Sequence, residues 1–134
     1  MRKINSIFVI DDDPITVFGF KKLLASLDLC DDIKTYGNGK LALDAIKDIL
    51  NTQEDLPEVI FLDINMPIMD GWQFLEEFIA LPIAQKVRVN VITSSIDRVD
   101  YEKSEMFKSK THHLIEYNNK PIRKREIEEI TKVA

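Results

Sequence analysis

Short apolar runs alternate along this chain with stretches in which apolar residues return every three or four positions. Ser6 to Ile10 (SIFVI) reads as a buried strand, and Val17, Phe20, Leu24 and Leu27 follow at helical spacing. Asp32 to Tyr36 (DIKTY) alternates apolar with polar residues, as an edge strand does. Gly37, Asn38 and Gly39 punctuate it, and Ala42, Ala45, Ile46 and Ile49 mark a second helix. The polar NTQEDLP predicts a loop, and VIFL (Val59 to Leu62) a third strand as apolar as the first. Phe74, Leu75, Phe78 and Ile79 give a third helix, stopped near Pro82. Lys86 to Thr93 (KVRVNVIT) is a fourth strand. Its alternation of Val87, Val89 and Val91 with Arg88 and Asn90 predicts a first half that projects past its neighbours. A polar helix is expected around Asp97 to Lys108, then HHLIEY (His112 to Tyr117) as a fifth strand. The last helix begins near Arg123, with Ile127 and Ile130 on one face.

Five strand–helix repeats predict an α/β fold: a parallel sheet with helices on both faces. Right-handed crossovers leave few arrangements, of which the five-stranded one is the flavodoxin-like, doubly wound order 2-1-3-4-5. That order places a ligand beyond the C-terminal strand ends, where the first and third strands diverge.

At 134 residues the chain is expected to be a single domain, 1–134, large enough to bury a core. A net charge of −5 gives no basic footprint for nucleic acid. Cys30 is the one cysteine, so no intrachain disulfide forms and its expected role is a small apolar filler. The N-terminal apolar run is too short for a signal peptide, and no stretch is long enough to span a membrane. The expected location is the cytoplasm.

Chemistry-bearing residues gather at the predicted strand ends. The first strand ends in Asp11, Asp12 and Asp13, the third in Asp63, the fourth in Thr93, Ser94 and Ser95; Lys120 and Pro121 follow the fifth. Asp13 before Pro14 is a good helix cap. Asp11, Asp12 and Asp63 are then left to converge, and like charges a few ångströms apart raise each other's pKa unless a cation neutralises them. Magnesium fits, since it binds through one or two carboxylates and keeps other positions for water and phosphate oxygens. The spaced acids of a calcium loop are absent. Zinc does not fit: Cys30 is alone, and the adjacent His112 and His113 point to opposite faces of a strand. Both histidines are expected at the surface.

Together FVIDDDP, VIFLDINMPIMDGWQFL, VITSS and YNNKPI resemble the receiver domain of two-component response regulators, in its stand-alone, chemotaxis-regulator-like form. The resemblance runs from about Ile7 to Ile130. It implies that Asp63 is phosphorylated by a sensor histidine kinase or histidine phosphotransfer protein. Asp11 and Asp12 would hold Mg2+ with Asp63, Asp12 directly and Asp11 partly through water, and Asn65 would add its backbone carbonyl. Thr93 would hydrogen-bond a phosphoryl oxygen and Lys120 would pair with it, the Lys120–Pro121 bond being cis. Thr93 and Tyr117 would form the switch, and Ile64, Asn65 and Ser95 would tune the lifetime of the modification. Such a domain catalyses its own phosphorylation and slow dephosphorylation but is a signalling module rather than an enzyme. With the sequence ending at Ala134 no output domain is expected, so the signal would pass to an effector protein by contact, without direct nucleic-acid or membrane binding. Phe18, off the core stripe of its helix, is a candidate for docking the kinase. Two features depart from the family pattern: Asn118 and Asn119 replace aliphatics before Lys120, and Lys110, Thr111 and His112 stand where a Gly-Ala pair is common. Two other readings compete. One is a degenerate receiver acting only as a binding module. The other is a haloacid-dehalogenase-type phosphatase with Asp11 as nucleophile and Asp13 as acid, which would leave Asp63 unexplained.

Overall fold

The computed structural model describes residues 3–130. Its elements run β1 (Ile7–Ile10), α1 (Pro14–Leu27), β2 (Ile33–Tyr36), α2 (Gly39–Thr52), β3 (Val59–Leu62), α3 (Gly71–Ile79), β4 (Arg88–Thr93), α4 (Arg98–Lys108), β5 (Leu114–Asn119) and α5 (Lys124–Ile130). The five strands form one parallel sheet in the order β2-β1-β3-β4-β5. This is the doubly wound arrangement anticipated from the alternation of runs.

The sheet is covered on both faces because its strands β1 and β3 carry no polar side chain to expose. Every residue of β1 and β3 is buried, whereas edge strand β2 has exposed Lys34 and Thr35. Alternate residues feed two apolar layers. Phe8, Ile10, Ile60, Val89 and Val91 pack under α2, α3 and α4 against Ile46, Phe74, Phe78 and Phe107. Ile7, Val9, Phe61 and Ile92 pack on the other face against Phe20 and Leu24 of α1 and Ile127 of α5. The side chain of Ile130, expected beside Ile127, lies outside the described residues. Cys30 is buried in the second layer, as a filler. No helix among the described residues is long and apolar enough to cross a membrane.

Helix starts follow their capping residues. The Asp13 carboxylate accepts from the Ile15 N–H at 3.1 Å, with Pro14 opening α1. Asn38 caps α2, and Asp70 with Gln73 forms a reciprocal capping box on α3.

Two expectations are corrected. The first half of β4 does not project: Arg88 pairs with Val59 on one side and Leu114 on the other, and Asn90 is fully buried. It is the end of β4, Ile92 and Thr93, that runs past β3 and pairs with β5 alone. The polar residues read as a sign of exposure are accommodated inside the sheet's flank, where Arg88 meets Glu116 at 3.4 Å. Likewise His112 is exposed but His113 is not, at 4% of its full accessibility. The N–H of Val87, just before β4, lacks a ladder partner and donates instead to His113 Nδ1 at 2.9 Å. The imidazole packs at a tilt, 5.0 Å from the Phe78 ring, and its ring nitrogen does the work of a backbone carbonyl inside the core. Burial, reinforced by His112, pushes the His113 pKa down to about 4.

Among the described residues three non-glycine positions have positive φ; Asp28 and Gln53 are helix C-caps, whereas Ile68 caps nothing. Ile68, in the β3–α3 loop, sits at φ 70 while 79% exposed, so a β-branched residue occupies the left-handed region without packing to hold it there. Ile68→Gly is expected to stabilise the fold by about 1 kcal/mol, raising Tm by roughly 3 °C. A thermal melt of the variant at or below the wild-type Tm would contradict this.

Candidate functional site

Strand register builds the site. Ile10 is paired with Leu62, so the next residues, Asp11 and Asp63, emerge side by side beyond the sheet's C-terminal edge. Their backbones are still held by the sheet: Asp63 N–H donates to the Ile10 carbonyl at 2.9 Å and Asp11 N–H to that of Tyr36 at 3.0 Å. Asp12 follows on the exposed side. Carboxylate oxygens of Asp11, Asp12 and Asp63 all lie within 4.8 Å of one another. Asp11 is 5% and Asp63 7% exposed, which makes the pair unusual, since buried carboxylates are rare without a partner.

Their partner comes from the other end of the sheet. Lys120 follows β5, and its N–H donates to the Thr93 carbonyl at 2.7 Å, fixing the residue beside the end of β4. Its ammonium reaches Asp11 Oδ2 at 3.1 Å and Asp63 Oδ1 at 3.6 Å. The Lys120–Pro121 bond is cis, as the resemblance implied. Thr93 is fully buried, and its hydroxyl oxygen accepts from the Ser95 N–H at 3.0 Å. Asp63 Oδ1 also accepts from the Ile64 N–H at 2.9 Å, and Asp11 Oδ1 from the Asp13 N–H at 2.9 Å. Gly71 lies so close beneath that a Cβ there would overlap the Asp63 carbonyl oxygen.

Charge is out of balance here. Burial, then the Asp11 carboxylate, push the Asp63 pKa up to about 6, against the opposing pull of Lys120 and the Ile64 N–H. Burial alone would lower the Lys120 pKa, but Asp11 and Asp63 outweigh it and hold the ammonium above its ordinary value. Ionised, three carboxylates face one ammonium, which leaves two negative charges uncompensated. A divalent cation closes that gap, and an all-oxygen donor set with part of its shell left to water suits magnesium rather than zinc. Asn65, exposed and two residues past Asp63 in the β3–α3 loop, is not part of the carboxylate group.

Asp13 is otherwise engaged. Its carboxylate accepts from Ile15 N–H and from the Thr16 hydroxyl at 2.8 Å, the hydroxyl first among the causes that hold its pKa down. It is therefore a cap rather than the proton donor that the phosphatase reading required. Tyr117 lies edge-on to Tyr101 at 5.7 Å, with its hydroxyl donating to the Ser95 carbonyl at 3.4 Å. Asn119, one of the departures from the family pattern, donates to the same carbonyl at 2.7 Å. Sequence reasoning missed what lies behind Ser95. Its hydroxyl donates to Asp100 Oδ2 at 2.7 Å, and the Trp72 indole donates to Asp100 Oδ1 at 3.0 Å. No spacing rule connects α3 with α4 across 28 residues, so nothing in the sequence signalled this bridge.

The sequence model described as "Response regulator receiver domain" matches residues 7–132. A two-component response regulator of Oryza sativa subsp. japonica, ORR26, is 32% identical over 124 residues, covering 92% of this chain but only 19% of that protein. The crystal structure of a two component response regulator from Cytophaga hutchinsonii superposes with a TM-score of 0.80 at 26% identity, covering 96% of this chain and 95% of that one. The CheX–CheY–BeF3–Mg complex from Borrelia burgdorferi shares the fold at 20% identity, with a TM-score of 0.73 over 94% of this chain and 85% of that one.

Proposed function

This chain belongs to the response regulator receiver domain family, and on that premise we propose that Asp63 accepts a phosphoryl group from a sensor histidine kinase or histidine phosphotransfer protein. The observation that carries the reading is the meeting of Asp11, Asp12 and Asp63 with Lys120 at one edge of the sheet. A carboxylate oxygen of Asp63 attacks phosphorus; an O–P bond forms, the P–N bond to the donor imidazole breaks, and its electron pair leaves with the ring. The transferred group passes through a loose transition state, so positioning and charge neutralisation supply the catalysis. Lys120 pairs with a phosphoryl oxygen and Thr93 donates its hydroxyl to another. Asp11, Asp12, Asp63 and the Asn65 carbonyl would hold Mg2+. When bound, the ion neutralises charge between the carboxylates and the incoming oxygens. Water later cleaves the acyl phosphate, so the domain switches rather than turns over a substrate.

Asp63 gains nearly two negative charges and three acceptor oxygens on modification. We assign the response to Thr93 and Tyr117, which would bias the face of α4, β5 and α5 between two arrangements read by an effector protein. The domain, residues 1–134, would act in the cytoplasm through protein contacts, with no direct role for nucleic acid. Phe18 is exposed on α1, where it is free to contribute to kinase docking.

Incubation with magnesium and acetyl phosphate is expected to give a hydroxylamine-labile adduct that mass spectrometry maps to Asp63. The adduct should not form in EDTA. A chain that stays unmodified, or is modified elsewhere, overturns the reading.

A further inference from the structure

Asp100 is an acceptor shared by side-chain donors from two elements. From α3, the Trp72 indole N–H donates to its Oδ1 at 3.0 Å; from the β4–α4 loop, the Ser95 hydroxyl donates to its Oδ2 at 2.7 Å. Trp72 is buried, with its ring stacked on Phe107 of α4 at 5.8 Å and an interplanar angle of 4°. Ser95 is held at its other atoms too. Its N–H donates to the Thr93 hydroxyl oxygen at 3.0 Å, and its carbonyl accepts from Asn119 at 2.7 Å and Tyr117 at 3.4 Å. Ser95 is thus bonded directly to both proposed switch residues, and Asp100 ties it to the packed body of α3.

We propose that Asp100 is a positioning residue that clamps Ser95, and with it the Thr93 hydroxyl, in the arrangement that goes with an unmodified Asp63. The inference rests on Asp63 being the phosphoacceptor and adds how the modification is resisted. If Thr93 shifts toward a phosphoryl oxygen, Ser95 either follows or loses the Thr93 bond. Following stretches the Ser95–Asp100 contact or draws Asp100 away from Trp72, and a buried indole N–H left without an acceptor is unfavourable. The clamp opposes the shift because both of its bonds end on one carboxylate in the first turn of α4. Breaking either bond disconnects Ser95 from α3.

The test is a binding comparison with beryllofluoride and magnesium as the probe, measured by calorimetry on the full chain. Trp72→Phe keeps the ring stack on Phe107 and removes only the donor. It should bind the probe about fivefold to tenfold tighter than wild type, the equivalent of one hydrogen bond of ordinary net strength no longer broken. Ser95→Ala should gain by a similar factor, and the double variant should gain no more than either single one, since each cuts the same connection. Asp100→Asn can still accept from Trp72 and donate to Ser95, so it should return to near wild-type affinity, whereas Asp100→Ala should match Trp72→Phe. As Trp72 is the one tryptophan, its emission in the wild type should change on saturation with the probe and stay constant in Asp63→Asn. Unchanged affinity in Trp72→Phe, or gains that multiply in the double variant, overturn the clamp while leaving the acceptor role of Asp63 standing. Failure of the wild type to bind the probe at all removes both.

Discussion

Asp63→Asn is expected to abolish the acyl phosphate and, in the metal-free protein, to give a stability that climbs steeply with pH. Two buried groups oppose each other in the wild type. Asp63 ionises near 3.8 when unfolded and near 6 in the fold. The fold therefore holds that proton more tightly, and stability falls as pH rises through this window. His113 runs the other way. Its ordinary pKa is 6.5 and burial lowers it to about 4 in the fold, so the unfolded chain binds the extra proton as pH falls. Its contribution is complete above 6.5 and is lost on acidification towards 4. Either displacement amounts to about 3 kcal/mol at full extent, with opposite sign over nearly the same range. In the wild type they nearly cancel. Relative to wild type, Asp63→Asn should gain about 3 kcal/mol between pH 4 and 6.5, because only the His113 slope remains. His113→Asn, whose side-chain oxygen can still accept from Val87 N–H, should lose a comparable amount over the same span. Urea denaturation in EDTA at several pH values measures both, and the difference from wild type cancels terms common to all three proteins. Profiles parallel to wild type would show that neither group is held as described. Magnesium should favour the wild type at neutral pH by binding the folded carboxylates, and should do so less in Asp63→Asn.

Gly71→Ala should be the most damaging single-methyl change in the molecule. On helix propensity alone it would help, by about 1 kcal/mol, since Gly71 opens α3 with no positive φ to preserve. Sterics decide otherwise. The added Cβ would overlap the Asp63 carbonyl oxygen and come within 2.9 Å of Ile64 Cα, both backbone atoms that cannot swing aside. The Gly71 N–H also donates to the Ile64 carbonyl at 2.8 Å, so α3 cannot back away without breaking that bond. A net loss of about 3 kcal/mol is expected from forced overpacking. Displacing Asp63 by even an ångström should slow labelling by acetyl phosphate on the order of a hundredfold. Gly19 supplies the control: nothing lies within 4 Å of a Cβ built there, so Gly19→Ala in α1 should stabilise by up to about 1 kcal/mol and leave labelling intact. Equal stability of the two alanine variants in urea would refute the steric argument.

Much of this protein is dictated locally. VIFL, SIFVI and the capping residues Asp13, Asn38 and Asp70 specify strands and helix starts through propensity, periodicity and short-range hydrogen bonds. Their alternation, with the handedness of crossovers, narrows the strand order to a few arrangements. Once that order holds, Asp11, Asp12, Asp63, Thr93 and Lys120 must share an edge, because each directly follows or ends a strand whose register is fixed by apolar neighbours. What the fold alone decided is how polar residues pair across long separations. Arg88 and Asn90 read as exposure until β5 lay beside them, and His113 read as surface until Val87 needed an acceptor. Trp72, Ser95 and Asp100 had no pattern at all. Apolar burial has a period that sequence displays, whereas a buried polar group is satisfied by whichever partner the packed chain brings within 3 Å or so, and that partner is known only when the elements have met.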